Sequence, residues 1–315
     1  MQVTRVLESF RPLCQRLFPA MPSLPSFPAL PSLPSLPAGL AGLSTALLKA
    51  TVLDLAILAG HLLLYPSGIA QERRPALPAA DGTGVPAALP TQAPPPVVLL
   101  HGFIDNRSVF VLLRRNLAQH GRHRVESLNY SPLTCDIRTA AELLGRHIEE
   151  ICARTGSSRV DVVGHSLGGL IARYYAQRLG GDLRIRTLVT LGTPHSGTRV
   201  APLANAHPVV RQMRPGSEVI EELSRPAPGC RTHFVSFWSD LDHLMDPLET
   251  ASIDHPDLLV QNVRVTGIGH LALPVHPAVA TGIRQALDAP ETATSRTSAT
   301  SATSATPRTG GLTVA

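Results

Sequence analysis

The stretch RVDVVGHSLGGLIARYYAQRL, Arg159 to Leu179, changes character at its middle. Val160 to Val163 reads as a short buried strand, and Ser166 to Leu179 reads as a helix. Between them stands Gly164-His165-Ser166-Leu167-Gly168, a G-x-S-x-G string. Such a string recurs by chance, so its setting carries the reading: a strand before and a helix after make it a nucleophile elbow. A sharp turn throws the serine hydroxyl clear of the sheet, and Gly164 and Gly168 leave room where strand and helix backbones nearly touch. The plainer alternative is a serine N-cap with glycines for the turn.

Working outward, β-branched runs alternate with helical stretches, the pattern of a mostly parallel sheet with helices on both faces. The expected strands are 97–100, 124–129, 160–163, 185–191, 233–238 and 262–266. The expected helices are 109–120, 137–154, 166–179 and 277–287. The proline-rich stretch Ser196 to Arg231 finds no place in the sheet.

Four segments in order, PVVLLHGF from Pro96, GHSLGG from Gly164, TLGTPHSGT from Thr190 and GIGH ending at His270, resemble the bacterial lipases and esterases of the α/β-hydrolase superfamily. The likeness covers roughly Pro96 to Leu287 and implies a serine carboxylic-ester hydrolase that needs no cofactor and no metal, acting on a lipid or another ester. It also implies that Ser166 is the nucleophile and that the backbone N–H groups of Phe103 and Leu167 form the oxyanion hole. Fixed donors are needed there because an acyl-transfer intermediate bears a negative oxygen. His101 is expected to be a structural residue of its turn. The GTPH segment is expected to shape the pocket floor, and residues 196–231 fall where the superfamily carries its cap, here a short insertion forming a small lid or a plain connection.

A serine hydroxyl is a poor nucleophile until a base takes its proton, so a histidine must reach Ser166. In this fold the chain order is nucleophile, acid, histidine. That order favours His270, with His276 as the runner-up and His195 and His255 as loop residues. The acid belongs after the preceding strand, where Asp240, Asp242 and Asp246 compete. The similar lipases place it in a D-x-x-apolar-x-P pattern, which fits Asp242 with Met245 and Pro247. Asp240 is the alternative, and Asp246 beside the proline suits a turn.

The flanks read differently. Residues 1–39 form a leader in which Pro22, Pro25, Pro28, Pro31, Pro34 and Pro37 recur at the polyproline II period, with leucines and a phenylalanine along a second edge. Residues 40–70 form an apolar helical segment, 71–95 a Pro/Ala/Gly linker, 96–290 the catalytic domain and 291–315 a Ser/Thr/Ala tail expected to be disordered. Within 40–65, twelve Leu, Ile and Val residues favour membrane insertion by about 0.3–0.6 kcal/mol each, whereas Lys49 and Asp54 cost about 2.5–3.5 each. These sums nearly cancel, leaving a membrane-surface helix against a helix packed on the body. The near-uniform apolarity of Leu47 to Leu64 tips the expectation to the membrane. No basic start leads directly into an apolar stretch with a cleavage site, so a membrane-associated, envelope or secreted location is expected without a cleavable signal.

Composition narrows the alternatives. The net charge of +5 arises from basic residues scattered among acidic ones, with no nucleic-acid module to use them. Four cysteines lack metal-ligand spacing. Cys135 and Cys152 stand about 25 Å apart if a helix joins them, so any bridge must use Cys230. Two alternatives to hydrolysis remain: an acyltransferase using the same triad, and a non-catalytic binding protein of the same fold.

Overall fold

The computed structural model describes residues 45–69, 94–103, 105–131, 136–200 and 207–290. The proline-rich leader, most of the linker, Cys14, Cys135 and the tail lie outside the described residues.

Among the described residues six parallel strands form one sheet in the order β2-β1-β3-β4-β5-β6. They are β1 Val97–Leu100, β2 Val125–Leu128, β3 Val160–His165, β4 Ile185–Leu191, β5 His233–Ser239 and β6 Leu259–Val265. Among the described residues seven α-helices accompany them: α1 Thr45–Ile69, α2 Val111–Gln119, α3 Ile137–Thr155, α4 Leu167–Arg178, α5 Pro208–Gln212, α6 Glu218–Ser224 and α7 Pro277–Asp288. The α/β reading with helices on both faces is what the structure has.

Strand periodicity explains the layering. Val97 and Leu99 point to one face and Val98 and Leu100 to the other, and all four are buried. The first face packs with Val163, Val189 and Val235 against Leu113 and Leu117 of α2 and Val279 and Ile283 of α7. The second packs with Val162, Leu188 and Phe234 against Leu144 and Ile148 of α3 and Leu170 and Ile171 of α4.

Local signals set the helix ends. Asp136 caps α3 by accepting a hydrogen bond from the Thr139 amide at 2.7 Å, and Gly156 ends it in the left-handed region. The helix expected over 109–120 begins as a 3-10 turn, Arg107–Phe110, because the Asn106 side chain accepts from the Ser108 amide and winds the chain tighter there. β6 begins at Leu259, three residues before the expected start. It is a largely exposed edge strand whose polar Gln261, Asn262 and Arg264 leave no continuous apolar run to read.

The described part of the insertion 196–231 holds two short helices that the sequence reading left unassigned. Val209, Val210 and Met213 from α5 and its cap, and Val219, Ile220 and Leu223 from α6, join the core beside α3 and α4. Arg138 of α3 pairs with Glu222 at 2.9 Å, and the Tyr174 hydroxyl donates to the same carboxylate at 2.7 Å. The described part of the insertion is therefore held against the body. Cys152 and Cys230 are both free thiols.

Helix α1 differs from the expectation that tipped it to the membrane alone: it docks on the body, and by its polar side. Ala50, Asp54, Ile57, His61 and Gly68 face inward at helical spacing. The Tyr65 carbonyl accepts from the Asn106 side chain at 2.8 Å, and the Gly68 carbonyl accepts from Asn129 Nδ2 at 2.6 Å and from Arg107 at 3.3 Å. These side chains satisfy carbonyls that a helix end leaves open. Leu48, Val52, Leu55, Leu62 and Leu63 face outward and are exposed.

Candidate active site

The elbow forms because β3 must turn into α4 within a residue or two. Ser166 carries the strain, with φ 52° and ψ −119°, the one non-glycine residue at positive φ among those described. Such a conformation costs on the order of 1–3 kcal/mol and persists only where neighbours over-determine it. They do so here: the Ser166 amide donates to Leu191 O at 2.9 Å, and Thr193 Oγ1 donates to Ser166 O at 3.0 Å. A Cβ at Gly164 would stand 2.6 Å from the Gly169 nitrogen, and one at Gly168 2.4 Å from Leu100 O. Both glycines are needed for close approach, the second against the end of β1 rather than against β3.

His270, on the loop after β6, turns Nδ1 to Asp242 Oδ2 at 2.7 Å, with both side chains buried. A carboxylate only accepts, so Nδ1 carries the hydrogen and Nε2 is the basic nitrogen. Burial opposes the charged imidazolium, but the Asp242 carboxylate outweighs it, aided by Asp105 and Asp54, and His270 sits above its ordinary value. The pair lies over the end of β4: a Cβ at Gly192 would stand 2.8 Å from Asp242 Oδ2 and 2.9 Å from His270 Nδ1. Since Ser166 is hydrogen-bonded to the neighbouring Leu191, the strand ends bring serine, aspartate and histidine to one edge. His165 joins them from the elbow side, donating through Nε2 to His270 O at 3.2 Å with ring centroids 4.8 Å apart.

The competing residues are engaged elsewhere. Asp240 accepts from the Gly267 amide at 3.0 Å and pairs with Arg264 at 3.4 Å. His276 caps α7, accepting from the Ala278 amide at 3.3 Å. His195 is buried against Thr190 Oγ1 at 2.9 Å, and His255 bonds the Arg225 carbonyl at 3.0 Å. His101 donates to Gly102 O at 2.9 Å and stacks on Tyr130, whose hydroxyl donates to His101 O at 2.5 Å.

Leu167 is the first residue of α4, so its amide has no acceptor within its own helix. Phe103 follows the β1 turn and meets His207 of the insertion edge to face at 5.4 Å. Thus the insertion meets Phe103 through the His207 ring. Among the described residues no group of three or more His, Cys, Asp or Glu is disposed to hold a metal ion.

Sequence reasoning missed a second layer behind the site. Asp105 is buried between two imidazoles, its oxygens 3.4 Å from His61 Nδ1 of α1 and 3.4 Å from His165 Nδ1. These are electrostatic contacts outside hydrogen-bond alignment. Burial alone raises a carboxyl, but the two imidazoles hold Asp105 well below the usual range. From α1, Asp54 Oδ1 accepts the Ala272 amide at 3.1 Å, two residues past His270. The signal was present: Asp54 and His61 are seven apart, two helical turns, and so share one face of an otherwise apolar helix.

The comparisons with known proteins agree with this frame. Residues 95–217 match the family model described as the alpha/beta hydrolase fold. A triacylglycerol lipase of Pseudarthrobacter phenanthrenivorans is 32% identical over 114 residues, 34% of this chain and 35% of that protein. A triacylglycerol lipase of Vibrio cholerae serotype O1 is 30% identical over 139 residues, 42% and 41%. The matched part therefore spans well under half the length of these relatives. Among solved structures, Aspergillus fumigatus lipase B superposes with a TM-score of 0.58 at 17% identity, covering 75% of this chain and 68% of that one. Mature Bacillus licheniformis lipase BlEst2 gives 0.53 at 16%, covering 65% and 96%. At such identities these structures speak for the fold, and the chain has the α/β-hydrolase fold that the family model describes.

Proposed function

We propose that this chain hydrolyses carboxylic esters through an acyl-enzyme on Ser166. The observation that carries the reading is the buried 2.7 Å contact of Asp242 with His270 at the strand edge that also holds the strained Ser166. His270 Nε2 takes the hydroxyl proton as Ser166 Oγ attacks the ester carbonyl carbon. The resulting oxyanion is held by the Phe103 and Leu167 amides, and Asp242 stabilises the imidazolium. Collapse breaks the bond to the alcohol, which leaves with the proton from His270. Water, deprotonated by His270, then attacks the acyl carbon and frees the acid and Ser166.

The substrate class this reading favours is a lipid ester. Two supports meet here: the relatives are named triacylglycerol lipases, and α1 turns its apolar residues outward beside the site. Leu48–Pro66 is long and apolar enough to cross a membrane by length and composition, yet only 11% of it is buried. Because its polar face is tied to the body, α1 suits lying in the plane of a lipid surface rather than crossing it.

Ser166→Ala is expected to lower hydrolysis of p-nitrophenyl esters by at least about a thousandfold with an unchanged melting temperature, leaving residual oxyanion-hole catalysis. Fluorophosphonate labelling should disappear with it. Labelling that persists on another serine sinks the assignment.

A further inference from the structure

Asp54 is a half-buried carboxylate in the middle of an apolar helix, 216 positions before His270 in the chain. A charged side chain there lowers helix apolarity and is costly to desolvate, so its contacts must offset that cost. It has two. Its Oδ1 accepts the Ala272 amide at 3.1 Å, and its Oδ2 fills the space above Gly269, where a Cβ would lie 2.1 Å away. Both contacts bracket His270, one residue before it and two after.

We propose that Asp54 is a positioning residue for His270: α1 brings a second carboxylate to the catalytic loop, pins residues 269–272 through the Ala272 amide, and places negative charge beside the imidazole in addition to that of Asp242. The inference rests on the ester-hydrolysis reading and extends it, because it makes α1 part of the catalytic machinery rather than a leader. The charged and titratable groups around His270 are Asp242 from the loop after β5, Asp105 from the turn after β1, His165 from the elbow and Asp54 from α1. Three are carboxyls that stabilise the imidazolium formed when Ser166 loses its proton. Burial pushes Asp54 itself up, while His270 and the Ala272 and Leu271 amides hold it down, leaving it above the usual value.

The test is Asp54→Asn in the full chain, an isosteric change that keeps an oxygen acceptor for Ala272 and removes the charge. His270 then loses a stabiliser of its protonated form, so its titration moves to lower pH. A neutral base is required for attack, so the acid limb of kcat/KM should move down by about half to one pH unit. The plateau should fall about three- to tenfold, since the same charge stabilises the transition state. NMR titration of the His270 imidazole should show the same shift without turnover, and the melting temperature should hold within about 2 °C. Asp54→Ala, which also frees the Ala272 amide, should lower the plateau further. A limb and an NMR titration that superimpose on the wild type overturn the proposal, as does a lower plateau explained by a lower melting temperature with the limb unmoved. An inert wild type in which the NMR shift nonetheless occurs sinks ester hydrolysis and leaves the Asp54 contact standing.

Discussion

Helices α1 and α3 dock on the same body by opposite rules. α3 buries Ile137, Ala140, Ala141, Leu144, Ile148 and Ile151 and turns Arg146, Glu149 and Glu150 to solvent. That is the arrangement hydrophobic burial dictates in water. α1 turns Asp54 and His61 inward and leaves Leu48, Val52, Leu53, Leu55, Leu62 and Leu63 exposed. Apolar burial stabilises the docking of α3. α1 is held mainly by polar contacts, its terminal carbonyls on Asn106 and Asn129, Asp54 on the Ala272 amide and His61 beside Asp105, with Ile57 packed on the core. A helix fixed by polar groups and greasy on its free side fits the lipid-surface role proposed for it.

The largest effect that separates the two is on stability. Leu144 in α3 is fully buried, and Leu144→Ala is expected to destabilise by about 2–5 kcal/mol from lost transfer energy and the cavity left behind. Denaturant unfolding reads this directly. A loss under about 1 kcal/mol would erase the contrast, since α3 would then owe little to its apolar face.

An intermediate effect belongs to the inner face of α1. His61→Leu removes one of two imidazoles from the buried Asp105, leaving that carboxylate less compensated, and should cost about 1–3 kcal/mol. A stabilised variant would show that α1 is held by its terminal carbonyls and by Asp54 alone.

The same contrast explains what the sequence disclosed. β1, β3 and β4 were legible because strands buried on both faces leave continuous apolar runs such as Val97-Val98-Leu99-Leu100. The turn at Ser166 was legible because an elbow is local, its glycines and strand within five residues. Asp242 and Asp240 were both candidates because proximity to His270 depends on where the β5 loop lands, which no spacing within 239–247 states. β6 and the short α5 and α6 were misplaced or missed, the first for lack of burial and the others for lack of length. In α1 the pattern was read as apolar nearly all round, with Lys49 and Asp54 as a cost, and the inward pair of Asp54 and His61 went unread. Their partners, Asp105 and Ala272, lie 44 and 218 positions along the chain, so that face acquires meaning only after folding.

The smallest effect on stability should fall on the outer face, the one that the lipid-surface proposal puts to use. Leu63 is 82% exposed and Leu62 65%, so replacing both by serine removes almost no packing. The folded state should change by no more than about 0.5 kcal/mol per site, as for surface substitutions generally. Against a lipid surface the same two leucines would be immersed, and burying a leucine is worth about 1.5–3 kcal/mol. The double variant, Leu62→Ser with Leu63→Ser, should therefore bind vesicles at least about tenfold more weakly. It should also lose activity on emulsified triacylglycerol while hydrolysing short soluble esters as the wild type does. That split is the signature of a surface-docking face, because damage to the site lowers both activities together and damage to the fold lowers the melting temperature. Unchanged vesicle binding, with the double variant as stable as the parent, would mean that the exposed leucines serve something other than lipid, and α1 would remain only the helix that carries Asp54 to His270.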